Sequence, residues 1–171
     1  MLPTAPAATT LSLARCWSPP PGIMVAMTTV DAGQHQPALV TAVVHVRWVD
    51  EDGNGHVNNA VYLNYLEEAR DRVADNLFGR SAADFVIAHV SIDYLAEVTH
   101  LDQRVEVDCW VTGHGKSSVR TAEVIRKPDG TLAARAQTVL VPRAAATAGS
   151  RPLTAAEVDA LVQVGSVSTQ A

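Results

Sequence analysis

The sequence predicts an α+β fold in which an antiparallel sheet of about five strands wraps around one long central helix. Three observations predict it. An apolar run of period two opens the foldable region, one extended amphipathic stretch follows, and four further strand-like runs come after it on short turns. Short connections between successive strands imply antiparallel pairing. A single helix of this length is marginal in water, so its apolar stripe must be buried on the sheet.

The first strand starts near Ala38, where Val40, Ala42, Val44, Val46 and Trp48 alternate with Thr41, Val43, His45 and Arg47. The helix is expected from Asn58 to Leu77. Val61, Tyr65, Ala69, Val73 and Leu77 recur there every fourth position, with Tyr62 and Leu66 beside them. Gly79 accepts the left-handed conformation that ends many helices. Phe85 to Val98 is apolar and β-branched, and Val105, Val107, Cys109 and Val111 alternate with Arg104, Glu106, Asp108 and Trp110. Ser118–Arg126 and Thr131–Val141 flank Lys127-Pro128-Asp129-Gly130, in which proline presets the backbone of a hairpin turn and glycine accepts positive φ. Thr154-Ala155-Ala156-Glu157 carries a capping-box pattern for a short C-terminal helix. Residues 37–143 therefore form the folded domain, and 144–171 a linker, short helix and tail. Residues 1–36 read as a disordered extension or an over-long start, with Met24 and Met27 as alternative starts. The exposed edges of such a sheet invite pairing between copies, so a homodimer or homotetramer is expected.

Composition narrows the function classes. The chain has 171 residues, 47% hydrophobic and 18% charged, which suits one domain with a sizeable core. A net charge of −5 without a dense Lys/Arg block argues against nucleic acid as a partner. No apolar run is long enough for a membrane span. Leu11 to Cys16 loosely resembles a lipoprotein cleavage box, but Arg15 stands where a small residue belongs, so a cytoplasmic location is expected. Cys16 and Cys109 lie far apart with no CxxC or Cys/His spacing, and neither a disulfide nor a metal site is expected.

The chemistry concentrates in the turn before the helix, Arg47-Trp48-Val49-Asp50-Glu51-Asp52-Gly53-Asn54-Gly55-His56-Val57-Asn58-Asn59. A carboxylate beside a helix N-terminus can attack a carbonyl and stabilise its oxygen, because the first-turn N–H groups lack internal partners and the helix dipole is positive there. Asp52-Gly53-Asn54-Gly55 also has the composition of an ordinary turn, and Asn58 or Asn59 that of an ordinary cap.

The pattern Arg47-x-x-Asp50-x-Asp52-x-x-Gly55-His56-Val57-Asn58-Asn59-x-x-Tyr62-x-x-Tyr65-x-Glu67-x-Ala69-Arg70 resembles the signature of hotdog-fold acyl-CoA thioesterases, in particular the 4-hydroxybenzoyl-CoA thioesterase group. Element order and the Gly115-Lys116-Ser117-Ser118 run are similar too, and the likeness spans about residues 38–142. The resemblance implies hydrolysis of an acyl-CoA to acid and CoA, with Asp52 as nucleophile or general base and the Asn59 N–H polarising the thioester carbonyl. It favours a supporting role for the candidate catalytic His56 over a direct acid/base one, and sets Asn58 at the substrate. Tyr62 and Tyr65, with Leu66, would line the acyl tunnel, where the bland reading makes them plain core. Lys116, Ser117, Ser118 and Arg120, with Arg126 and Lys127, would receive the nucleotide end of CoA, although each taken singly reads equally as ordinary charged surface. Coenzyme A is then part of the substrate, and no separate cofactor is implied. Glu67 lies near the depth at which a second hotdog branch carries a helix-borne nucleophile, although Asp52 outranks it and Glu68. Two alternatives stand beside hydrolysis. One is a hotdog hydratase or dehydratase, whose Asp-x-Asn-Pro-x-His pattern Asp52-x-Asn54-Gly55-His56 lacks, and the other is a non-catalytic acyl-CoA-binding module.

Overall fold

The alternation from Val40 produces strand β1, Val40–His45, with Val40 and Ala42 buried and Thr41 and Val43 facing out. The structure, a computed structural model, describes residues 39–79, 84–144, 149–164 and 168–169, all within one compact unit. The expected N-terminal extension, with Cys16, lies outside the described residues.

β1 ends earlier than the alternation suggests. The N–H of Val46 leaves the ladder for the Gln103 carbonyl at 2.9 Å, and that of Arg47 goes to the Asp50 carboxylate at 2.8 Å. The chain therefore coils into a 3₁₀ turn at Trp48–Asp50. Trp48, read from periodicity as the last inward residue of the strand, is instead 77% exposed.

Helix α1, Asn59–Phe78, starts on the Asn58 side chain, which accepts the Ala60 N–H, and stops at Gly79 with φ of 59°. Its buried stripe is Tyr62, Tyr65, Leu66, Ala69, Arg70, Val73 and Ala74, rotated from the expected one so that Val61 and Leu77 sit at its margins. Strands β2 (Phe85–Tyr94), β3 (Arg104–His114), β4 (Val119–Arg126) and β5 (Leu132–Pro142) complete the main sheet in the order β1-β3-β4-β5-β2, antiparallel throughout. β2 is four residues shorter than its apolar run, because the N–H groups of Leu95 and Ala96 both turn to the Ala133 carbonyl. Helix α2, Ala155–Gln163, carries the expected capping box between Thr154 and Glu157. A two-residue strand β6, Ser168–Thr169, pairs in parallel with the end of β3.

The inner face of the sheet meets α1 through Val105, Val107 and Cys109 of β3, Ile125 of β4 and Ala134 and Ala136 of β5, all in one apolar cluster with Leu66 and Ala69. Fully burying one such side chain as Leu66 contributes about 2 kcal/mol. The helix–sheet layer is not wholly apolar. Arg70 of α1 and Glu123 of β4 are both buried, their charged ends 3.8 Å apart, and Thr121 and Thr138 donate to the two Glu123 oxygens at 2.6 and 3.2 Å. Among the described residues, no helix is long and apolar enough to cross a membrane.

Candidate active site

Three acids stand in a row after β1, and the fold treats each differently. Asp50 is 2% exposed. Its Oδ1 accepts from Arg47 Nε and Nη2 at 3.0 and 2.6 Å, and its Oδ2 from the Arg47 N–H and the Tyr65 hydroxyl, both at 2.8 Å. Burial alone would raise the Asp50 carboxyl, but the Arg47 and Tyr65 donors outweigh it and hold the group below its ordinary range. Burial, together with that carboxylate, pushes the Tyr65 phenol up. Glu51 is taken by the connection between β2 and β3, where its Oε1 meets the backbone N–H and ring Nδ1 of His100, each at 2.7 Å. Those two bonds hold Glu51 below the usual carboxylate range.

Asp52 is the acid left beside the helix end. It opens a three-residue hairpin in which its N–H reaches the His56 carbonyl at 2.9 Å and its carbonyl accepts from Gly55 at 3.0 Å. Gly55 closes this turn at φ of 78°, where a side chain would strain the backbone. The same pattern recurs at 127–131 with Gly130 at φ of 84°. Asp52 Oδ1 accepts the Asn54 N–H at 2.8 Å, and among the described residues Oδ2 has no partner.

The hairpin is tied to α1 by the Asn58 N–H, which reaches the Asp50 carbonyl at 2.9 Å. Asn58 then caps the helix twice, its side chain taking the Ala60 N–H and its carbonyl the Val61 N–H. Among the described residues no acceptor takes the N–H of Asn59, between them and partly positive by the helix dipole. Both Asn58 and Asn59 are exposed. One stretch of chain thus presents a carboxylate oxygen and an unengaged helix-start N–H, the two groups an acyl transfer needs. His56 stands between them in sequence, its Nε2 3.0 Å from Glu97 Oε2 and its neighbour Val57 bonded to the Val98 carbonyl.

The structure places the other predicted site residues less uniformly. Tyr62 and Tyr65 are each only 3% exposed. The Tyr65 hydroxyl is held by Asp50, and the Tyr62 ring lies against Tyr94, so both build the wall behind the site instead of an open acyl channel. Lys116, Ser117, Ser118 and Arg120 lie around the β3–β4 turn, next to His114, whereas the Asp52 loop adjoins the Arg104 end of β3. The ten-residue rise of β3 between them is about 33 Å. Within the chain these residues and Asp52 lie at opposite ends of β3. Lys127 lies at the Asp52 end, joined to Asp102 at 3.1 Å and to the Glu97 carbonyl at 3.1 Å. Glu67 is exposed at the lip of a recess of about 30 Å3 lined also by Arg70, Phe85 and Ile87, room for a water but not for an acyl chain. Asp50 and Tyr94 are the neighbours of the loop and helix start that local pattern did not single out. The acid and aromatic content of the motif was visible, but their partners lie 15 and 35 residues away.

A family model described as the thioesterase-like superfamily matches residues 46–162. The chain belongs to this superfamily. The thioesterase reading of the motif and the hotdog arrangement of helix and sheet stand together with this match. Among solved structures, a thioesterase from Thermus thermophilus, complexed with coenzyme A and Zn, is 32% identical at a TM-score of 0.66, over 72% of this chain and 92% of that one. A 1,4-dihydroxy-2-naphthoyl-CoA thioesterase from Synechocystis is 26% identical at 0.62, over 71% and 94%. A probable thioesterase of Escherichia coli is 26% identical at 0.60, over 72% and 97%. No curated protein sequence matches the chain. The enzyme is thus a thioesterase, and its general reaction is thioester hydrolysis.

The Asp50 anchor makes a specific prediction. Tyr65→Phe removes one bond to a buried carboxylate, with an expected loss of about 2 kcal/mol of stability at neutral pH. Asp50 has its folded-state pKa depressed, so this contribution is fully present above the ordinary value of 3.8 and is lost as pH falls through the lower folded value. Denaturant unfolding of wild type and Tyr65→Phe from neutral to acid pH measures the difference, which should shrink on acidification. Equal stability at neutral pH would show that the bond does not anchor the loop.

Proposed function

We propose that this thioesterase hydrolyses an acyl-CoA, with Asp52 acting on the thioester carbonyl and the Asn59 N–H receiving its oxygen. The observation that carries the reading is the fate of the three adjacent acids: Asp50 and Glu51 are bonded into the scaffold, while among the described residues Asp52 keeps an oxygen without a partner, on the loop leading to an Asn59 N–H that no acceptor takes. As general base, Asp52 takes a proton from water while the water oxygen bonds to the carbonyl carbon. As nucleophile, its carboxylate bonds to that carbon directly and gives a mixed anhydride that water then opens. In both routes the oxyanion is held at Asn59, and collapse breaks the C–S bond to release CoA thiolate, which takes up a proton. The CoA-complexed and naphthoyl-CoA-cleaving relatives support CoA as the carrier.

Asp52→Asn separates charge from structure, because an asparagine Oδ1 can still accept the Asn54 N–H and keep the turn. Thiol release from a panel of short, long, branched and aromatic acyl-CoAs is expected to fall at least 100-fold in this variant, the scale of losing an acid/base group, with little change in unfolding midpoint. Wild-type turnover in Asp52→Asn would remove Asp52 from the mechanism.

The active assembly is a homodimer formed through β2. This ten-residue edge strand leaves Val86, Ile87 and Tyr94 44%, 46% and 43% exposed, an open apolar template for a second copy. A partner would also offer a second Lys116–Arg120 turn, which one protomer does not bring to its own Asp52. Light scattering on the eluting protein should give twice the chain mass of 18.1 kDa. A monomer that is fully active would contradict this assembly.

A further inference from the structure

The last residue of β2 reaches the first turn of α1. Tyr94 stands opposite Ala134 of β5, and the chain just after it is locked by the Leu95 and Ala96 N–H groups, which share the Ala133 carbonyl at 2.8 and 3.1 Å. From this support the Tyr94 hydroxyl donates to the backbone carbonyl of Asn59 at 2.9 Å. The ring packs edge-on against Tyr62, with centroids 5.1 Å apart and planes at 86°. Two more contacts bind the following residues to the other side of the site: Glu97 to His56 at 3.0 Å, and the Val98 carbonyl to the Val57 N–H at 2.8 Å. The corner after β2 therefore grips both the helix start and the loop carrying Asp52.

We propose that Tyr94 is a positioning residue of this thioesterase, whose hydroxyl holds the first turn of α1 so that the Asn59 N–H stays aimed at the thioester oxygen. The inference rests on the role given to Asn59 above. Helix ends fray readily, and Asn58 caps only the N–H groups of Ala60 and Val61. The peptide that carries the Asn59 N–H is held through the Asn58 carbonyl by Val61, and Tyr94 holds the next peptide through the Asn59 carbonyl. The two together fix Asn59 from both sides, and a donor serves an oxyanion only when it is already in place. Tyr94 fixes that turn from its carbonyl side. It does so from outside the helix, on a strand held by the sheet.

Tyr94→Phe removes the hydroxyl and keeps the ring, so both the packing on Tyr62 and the apolar face offered to a second copy are retained. The expected result is a fall in kcat of about tenfold with KM within about twofold, by the same factor for short and long acyl-CoAs, because the oxyanion is common to all of them. A KM that rises with acyl length, at unchanged kcat, would instead make Tyr94 a wall of the acyl site and overturn the proposal. So would unchanged kinetics. NMR of the same variant supplies a readout free of catalysis: loss of the bond should move the Asn59 carbonyl 13C and Ala60 amide 15N resonances, and unmoved resonances overturn the proposal whatever the kinetics. A wild-type chain that releases no thiol from any acyl-CoA would fell the acyl-CoA reading itself, and the carbonyl resonances would still decide whether Tyr94 holds the helix.

Discussion

The buried carboxylate of Asp50 is the constraint on which the site depends. It takes donors from its own turn through Arg47 and from the long helix through Tyr65, and the peptide carbonyl of the same residue takes the Asn58 N–H. Three pieces of chain, the end of β1, the Asp52 hairpin and the start of α1, are thereby fixed to one point. A buried charge without such partners would be strongly unfavourable, so its environment tolerates few other arrangements. The consequence for chemistry is indirect but strict. Asp52 needs no bond of its own to the helix, because Asp50 already sets how the hairpin meets it.

The second polar anchor works on a different scale. Arg70 and Glu123 lie between helix and sheet, near the middle of α1, where an apolar pair would pack more simply. Burial pushes the Glu123 carboxyl up, and Thr121, Arg70 and Thr138 pull against it. Neither terminal nitrogen of Arg70 has a hydrogen-bond partner among the described residues. Such a pair adds little net stability, since desolvation offsets the attraction. What it does add is register: the helix has one rotation about its axis that puts Arg70 against Glu123 and Tyr65 against Asp50 at once.

Much of this was legible from local pattern. The order of elements, the hairpin at Lys127 to Gly130, a cap at Asn58 or Asn59 (the structure uses Asn58), the Thr154 cap and the Gly79 stop all follow from rules that act over a few residues. The Asp52 loop was legible as well, because its glycine and acids are contiguous. What local pattern missed is set by partners far along the chain. Trp48 continued the strand alternation, yet Asp50 captures Arg47 and turns it out to solvent. Arg70 sits in the buried stripe of α1, which a charged residue in sequence argues against, because Glu123 awaits it far along the chain on β4. Tyr94 is one more aromatic in an edge strand until its hydroxyl is seen on Asn59. Lys116 to Arg120 matched a motif, but no local rule says at which end of a sheet a turn will fall.

The central claim is that the Asp52 loop and the first turn of α1 act together on one thioester carbonyl. A crystal structure with an acyl-CoA analogue in which a methylene replaces the thioester sulfur tests it most directly, since the ketone cannot be hydrolysed. The account predicts the ketone oxygen about 2.9 Å from the Asn59 nitrogen, with the free oxygen of Asp52 facing the carbonyl carbon. A ketone bound away from Asn59, or lying against Glu67 with Asp52 turned to solvent, would contradict it.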